Sequence, residues 1–179
     1  MHAYKVLVDG RSPFTRWAWP SVACDGPGDW VKVDGPLKPC VNGIHACTTA
    51  HLPTWLGSEL WSVELDGEIL EVEDVVLASR ARLLEPVTGW DRPTQIAFAE
   101  ACWERAEAVV RRWPAGAPLL EVVEDFGREA VVWEAGYWSA VIAGESKAGI
   151  RSGPLYEAGF TGERRAQADW LRAELALRG

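Results

Sequence analysis

No stretch of this chain approaches the roughly 18 consecutive apolar residues that a membrane-spanning helix requires. Its first residues, Met1 to Asp9, show no charged start, long apolar segment or small-residue cleavage site. No secretory signal is read there, and a cytoplasmic location is expected. Lysine is scarce, 4 against 14 arginines, and the formal net charge is −8 with a pI near 4.9. The average surface therefore repels nucleic acid and anionic membranes, and neither is expected as a partner. The basic pairs Arg111-Arg112 and Arg164-Arg165 fall in helix-like stretches, where a solvated face accounts for them. Phosphate-cradling glycine loops, a Gly-x-Gly-x-x-Gly turn and a Gly-x-Ser-x-Gly elbow are all missing. No cofactor is expected. Cysteine is limited to Cys24, Cys40, Cys47 and Cys102, and without a route to an oxidising compartment these read as free thiols.

What remains is an ordinary globular composition, 48% hydrophobic and 25% charged over 179 residues, enough for one domain with its own core. The excess of Arg beside much Ala, Gly and Pro suggests a GC-rich bacterial genome. Tryptophan is the exception, with 11 residues. Its broad apolar face and single N–H donor suit both a packed core and the wall of a ligand pocket.

The hydrophobic period changes near residue 90. Tyr4 to Val8 reads as a strand ended by Asp9-Gly10, residues 10–39 are dense in Pro and Gly, and Trp30 to Val33 is a short strand closed by Asp34-Gly35-Pro36. Gly43 to Cys47 is a further strand, with Thr48 or Thr49 placed to cap a short helix through Leu52 to Leu56. Leu60 to Leu65 alternates, with Trp61, Val63 and Leu65 on one side and Leu60, Ser62 and Glu64 on the other. Asp66-Gly67 carries a hairpin-turn signature, and Glu68 to Leu84 continues as one or two strands.

Beyond residue 90, Asp91 caps a helix with Pro93 in its first turn, and Phe98, Cys102, Ala106, Val109 and Trp113 follow at helical spacing up to Pro114. A second helical stripe runs from Leu119 to Val141 through Ala130, interrupted by Gly127 and Gly136, with a strand pair as the competing pattern. Gly144 to Gly162 reads as a loop and Thr161 opens a last helix. The expected fold is α+β: one domain over 1–179, its antiparallel β-rich half (1–85) packed against C-terminal helices (91–179).

Reactive side chains concentrate between Cys40 and His51, where two of the three histidines and two of the four cysteines fall. On a strand His45 and Cys47 share a face, and Asn42-Gly43 supplies a turn that returns Cys40 toward them. Three functional roles compete with simple packing. Cys40, His45, Cys47 and His51 are metal-ligand types, although their spacing matches no common zinc pattern and no second ligand pair follows, so no metal is expected. Cys40 or Cys47 is a thiol nucleophile if His45 activates it. Alternatively His45 donates a hydrogen bond to a ligand while the cysteines pack. The loop Gly10 to Pro20 places Ser12, Arg16 and Trp19 together, an anion clamp beside a stacking wall. Glu64 joins these if its strand face lines the same pocket.

Taken together, Ser12-Pro13-Phe14, Trp17 to Pro20, Pro27-Gly28-Asp29-Trp30, Cys40-x-x-Gly43-Ile44-His45-Ala46-Cys47, Leu52-Pro53-x-Trp55-Leu56 and Leu60-Trp61-x-x-Glu64 resemble an uncharacterised family of small actinobacterial proteins. The Gly-His-x-Cys core is similar to a phage-associated domain of unknown function. The closing Glu163-Arg164-x-x-Gln167-Ala168-x-Trp170-Leu171 is similar to the same family's C-terminus. The resemblance implies no activity. The order Gly43-Ile44-His45, Thr48 to Leu56, Leu60 to Leu65 also resembles the middle of ADP-ribosyltransferase-like domains, but no nicotinamide-binding and catalytic set follows in the later strands.

The expectation is a protein that binds or processes a small aromatic or nucleotide-like ligand in a Trp-lined pocket around His45. His45, Glu64 and Cys47 would be its catalytic groups, with acid/base or transferase chemistry at His45. Ser12, Arg16, Trp19 and Cys40 would bind substrate. An interaction module with an exposed Trp patch and a Cys/His metal-binding protein are the alternatives.

Overall fold

The computed structural model describes residues 1–22, 26–129 and 131–178, so the expectations for Cys24 and Ala130 lie outside the described residues. The chain divides into two compact units, Met1–Thr88 and Gly89–Arg178. The first holds the antiparallel sheet and the second the helices, as the change of hydrophobic period near residue 90 predicts.

In the first unit the elements are β1 (His2–Leu7), β2 (Val31–Lys32), β3 (Ile44–Ala46), α1 (Leu52–Trp55), β4 (Glu59–Val72) and β5 (Val75–Pro86). Strand order is β1-β4-β5-β2, and β3 also pairs with β5; every pairing is antiparallel. The sheet then curls back on itself. Just past β3, Cys47 and Tyr4 of β1 exchange backbone hydrogen bonds at 2.8 and 2.9 Å, so that β1, β4, β5 and β3 form a ring. Ala3, Leu7, Ile44, Ala46, Val63, Leu65 and Leu83 fill one core cluster together with Trp19 from the loop after β1. Because the sheet is buried so extensively, the clean alternation read over 60–65 does not divide a wet face from a dry one: Leu60 and Ser62 are buried as well.

Asp66-Gly67 is not the hairpin turn. β4 runs through it, with a register irregularity between Asp66 and Ile69, and the reversal comes at Glu73-Asp74, where Val72 pairs with Val75. Gly67 has φ +76, and a Cβ there would lie 2.3 Å from Ser79 Oγ, which accepts the Glu68 N–H at 2.9 Å. A bulge and a tight hairpin both need a residue with positive φ, so the same dipeptide serves either. Here the bulge bends a 14-residue strand, as a closing sheet requires. Nor does either threonine cap α1. Its N-cap is His51, without a side-chain cap bond, and Thr48 Oγ1 meets His51 Nδ1 at 3.3 Å instead.

The second unit comprises α2 (Arg92–Val110), a short 3-10 turn (Pro114–Gly116), α3 (Ala117–Glu129), α4 (Val132–Ala148) and α5 (Pro154–Glu174). Asp91 caps α2 as expected, its Oδ1 accepting the Thr94 N–H at 3.0 Å. The stripe from Leu119 to Val141 is two helices rather than one, and Gly127 and Gly136 lie inside them. The loop expected over 144–162 is mostly helix. α4 continues to Ala148, and α5 opens at Pro154 rather than Thr161. Its glycines mark a helix crossing: a Cβ on Gly159 would lie 2.4 Å from the Ala143 carbonyl oxygen, and one on Gly144 2.6 Å from the Tyr156 ring. Close backbone approach, not chain reversal, explains them.

A buried polar network ties three of these helices. Gln167, wholly buried, donates from Nε2 to the Gly136 carbonyl at 2.9 Å and to Ser139 Oγ and Glu163 Oε1 at 3.0 Å. Glu163 Oε1 also accepts from Ser139 Oγ at 3.0 Å and from Arg105 Nε at 2.9 Å. One carboxylate oxygen thus collects donors from α2, α4 and α5. No helix among the described residues is long and apolar enough to cross a membrane.

Candidate functional site

β3 presents His45 half-buried, flanked by the buried Ile44 and Ala46. Both ring nitrogens meet backbone. The Cys40 N–H donates to Nε2 at 3.3 Å, and Nδ1 lies 3.1 Å from the Gly43 carbonyl oxygen. A backbone N–H can only donate and a carbonyl can only accept, so these partners select the neutral Nδ1–H tautomer. Burial lowers the imidazole pKa; the Gly43 carbonyl opposes this and the charge of Lys5 adds to it. His45 thereby staples the turn over residues 38–42, in which Asn42 and Lys38 pair and Cys40 takes φ 59.

Cys40 is exposed, and it reaches His45 through its backbone amide rather than its sulfur. Cys47 is buried, its Sγ 3.5 Å from the Tyr4 carbonyl oxygen, and burial pushes its thiol up to about 12. The hydrogen bonds of His45 therefore join it to neither sulfur. Among the described residues, no group of three or more His, Cys, Asp or Glu is placed to hold a metal ion.

The loop after β1 is built on Trp19. Its backbone folds through the bridges Val8–Arg11 and Arg11–Ala18, and Trp19 N–H donates to the Gly10 carbonyl at 3.1 Å. The Trp19 indole is buried, donates from Nε1 to Ser12 Oγ at 3.0 Å, and takes Trp17 edge-on at 5.3 Å between ring centroids. Ser12 thus orients the indole. Arg16 sits at the exposed tip with φ 56, its carbonyl accepting from Arg11 Nη1 at 3.0 Å. Glu64 lies elsewhere on the sheet. It pairs with Arg82 at 2.7 Å beside the Asp66–Arg80 pair at 3.0 Å, and both guanidiniums stack on Trp30, at 4.6 and 4.0 Å. Ser12, Arg16 and Trp19 are therefore brought together, and Cys40 with His45. Glu64 is held by Arg82 in a cross-strand ion-pair ladder.

Between the loop and the sheet lies a cavity of about 270 Å³, walled mainly by Leu7, Trp19, Trp61 and Leu83, with Asp9 and Arg11 among its polar lining. Glu59 frames it: Oε1 accepts the Gly10 N–H at 3.0 Å while Oε2 accepts Trp61 Nε1–H at 3.1 Å. The same carboxylate fixes the loop and one aromatic wall. Neither Glu59 nor Trp61 was expected here, because only the strand register brings them against residues 9–19.

Lys5 borders this region and was also missed. Strand alternation puts it in line with Ala3 and Leu7, facing the core, and it pairs across the sheet with Trp61. It is 9% exposed; its Nζ donates to the His45 carbonyl at 2.6 Å and lies 5.7 Å from the Trp19 ring centroid. Burial lowers its pKa from 10.5 to about 8, with the neighbouring Cys47 acting in the opposite direction. A lysine at the centre of the apolar run Ala3 to Val8, at a core-facing position by period two, was the sequence signal for it.

Comparison with protein-family models, with curated proteins and with solved structures returns no match to this chain.

Proposed function

We propose that the unit Met1–Thr88 binds a small planar molecule in the cavity between the loop after β1 and the sheet, with Trp19 and Trp61 as its aromatic walls. The observation that carries this reading is the way both indoles are fixed, Trp19 by Ser12 and Trp61 by Glu59, in the lining of one mainly apolar space. Aromatic groups held by hydrogen bonds at their N–H ends suit the walls of small-molecule sites. At about 270 Å³ the space equals roughly nine liquid waters, enough for a substituted ring or a nucleobase and not for a whole dinucleotide. In this reading His45 is a positioning residue. It holds the 38–42 turn, and its carbonyl anchors Lys5. Arg11 lines this cavity, while Arg16, read from the sequence as an anion clamp, sits at the exposed tip of the same loop.

The test is nuclear magnetic resonance of the indole N–H groups, with Trp19 and Trp61 assigned from Trp19→Phe and Trp61→Phe. Titration with indole, adenosine and benzamide should shift those two signals together while the remaining indoles stay in place. Shifts confined to Trp17, or to none of the indoles, would reject the cavity.

A second reading rests on a different observation. Phe14 is 83% and Trp17 44% exposed at the tip of the same loop. Such a tip suits docking against another macromolecule. Phe14→Ser with Trp17→Ser would then abolish that association and leave the cavity titration unchanged.

A further inference from the structure

The Lys5 ammonium has three N–H donors, and one of them is accounted for, by the His45 carbonyl. Its other neighbours include the Cys47 thiol and the Trp19 ring, which attracts a cation but accepts no conventional hydrogen bond. Asp9 lines the cavity and Glu59, engaged by Gly10 and Trp61, frames it; among the described residues neither is ion-paired with Lys5. Buried charges are ordinarily paired, because an ion removed from water without a counter-ion is costly. This ammonium is nine-tenths buried, and among the described residues no carboxylate pairs with it.

Three residues of the cavity wall flank it. Trp19 lies against Nζ, Trp61 is its cross-strand partner, and Leu7 is the next residue on the same side of β1. Lys5 is not itself in the cavity's lining, so meeting a ligand there requires its flexible four-carbon stem to turn the ammonium away from the His45 carbonyl. We infer that the ligand of this cavity carries a carboxylate or similar anionic head, which Lys5 neutralises while Trp19 and Trp61 hold the ring. This rests on the cavity reading above and narrows the ligand to small aromatic acids. It also gives a reason for a cation in the core of an otherwise apolar ring of strands: the missing counter-ion arrives with the ligand.

The experiment compares indole-3-acetate with its uncharged amide at pH 7, following the Trp19 and Trp61 N–H signals in the parent protein, in Lys5→Met and in Lys5→Arg. In the parent the acid should bind about ten-fold or more tightly than the amide, the difference that one charge-assisted hydrogen bond supplies. Lys5→Met should bring that ratio to about one with the amide's affinity little changed, and Lys5→Arg should keep most of the preference. If acid and amide bind alike, and Lys5→Met alters neither, the inference is overturned while the cavity reading stands. If neither probe moves the two indoles, both fail. Should Lys5→Met not fold, ¹⁵N-labelled lysine in the parent protein decides: the Lys5 ammonium signal shifts with the acid and not with the amide, and equal response to both overturns the inference.

Discussion

Replacing Lys5 with methionine should make the unliganded protein more stable at neutral pH. The amine's pKa falls from 10.5 in the unfolded chain to about 8 in the fold, chiefly because burial disfavours the charge. At pH 7 the amine is protonated in both states, so the full difference acts against folding, about 3 kcal/mol. Methionine has similar length and flexibility and fills the same core position without a charge. The substitution also removes the hydrogen bond to the His45 carbonyl, at about 1 kcal/mol. The net expectation is a gain of about 2 kcal/mol at pH 7. The sign of the pH dependence follows from linkage. Between pH 8 and 10.5 the unfolded chain binds more protons at this site than the folded one, so the parent's stability rises with pH there. About 1 kcal/mol of the penalty is relieved by pH 9. Burial of Cys47 and Cys102 pushes both thiols up to about 12, which works in the opposite direction above pH 9. The comparison therefore belongs at pH 7 to 9, by urea unfolding followed with circular dichroism on parent and variant. A Lys5→Met protein that is less stable than the parent by the same amount at pH 7 and pH 9 would refute the reasoning. A core lysine that weakens the free protein is the trade expected of a group retained for its ligand.

Other expectations follow from the same geometry. His45 accepts the Cys40 N–H only while neutral, and burial lowers its pKa from 6.5. Acidification below about pH 6.5 should therefore cost stability, because the unfolded chain takes up the proton first; His45→Gln should flatten that dependence in melts between pH 5 and 7. Gln167→Leu removes at once the donor to the Gly136 carbonyl, to Ser139 Oγ and to the buried Glu163 carboxylate, and should lose about 2–3 kcal/mol in urea unfolding. Gly67→Ala meets both positive φ and Ser79 Oγ, and should lose about 1–2 kcal/mol by the same assay. Iodoacetamide on the native protein should label Cys40 readily and leave Cys47 and Cys102 unlabelled, as read by peptide mass mapping; four free thiols should appear after denaturation without reductant.

The fold was legible where a local pattern has one outcome. Asp91 and Pro93 specify a helix start, and the short runs read at 4–8, 30–33 and 43–47 contain the strands His2–Leu7, Val31–Lys32 and Ile44–Ala46 in whole or in part, because β-prone residues there are bounded by Gly, Pro and Asn. It was illegible where one signal has two uses. Asp-Gly reads as a turn and here forms a bulge, while Gly144 and Gly159 read as loop residues and here permit two helices to touch. The candidate site divides in the same way. Ser12, Arg16 and Trp19 are neighbours in the chain, and so is Cys40 to His45, so their proximity could be read. Lys5, Glu59 and Trp61 meet the loop only through antiparallel register and the Tyr4–Cys47 closure, neither of which any short motif encodes. Glu64 followed the opposite course. Its residue type suggested chemistry, but the same register sets Arg82 directly across from it.

The central claim is that the space between Trp19 and Trp61 is a binding site. A crystal structure of the protein grown with indole-3-acetate tests it most directly. The account predicts the ring between the two indoles with its carboxylate within hydrogen-bonding distance of Lys5 Nζ. A cavity filled only with water, or closed by Trp19, in crystals whose ligand sits on the exposed Phe14–Trp17 tip would contradict it.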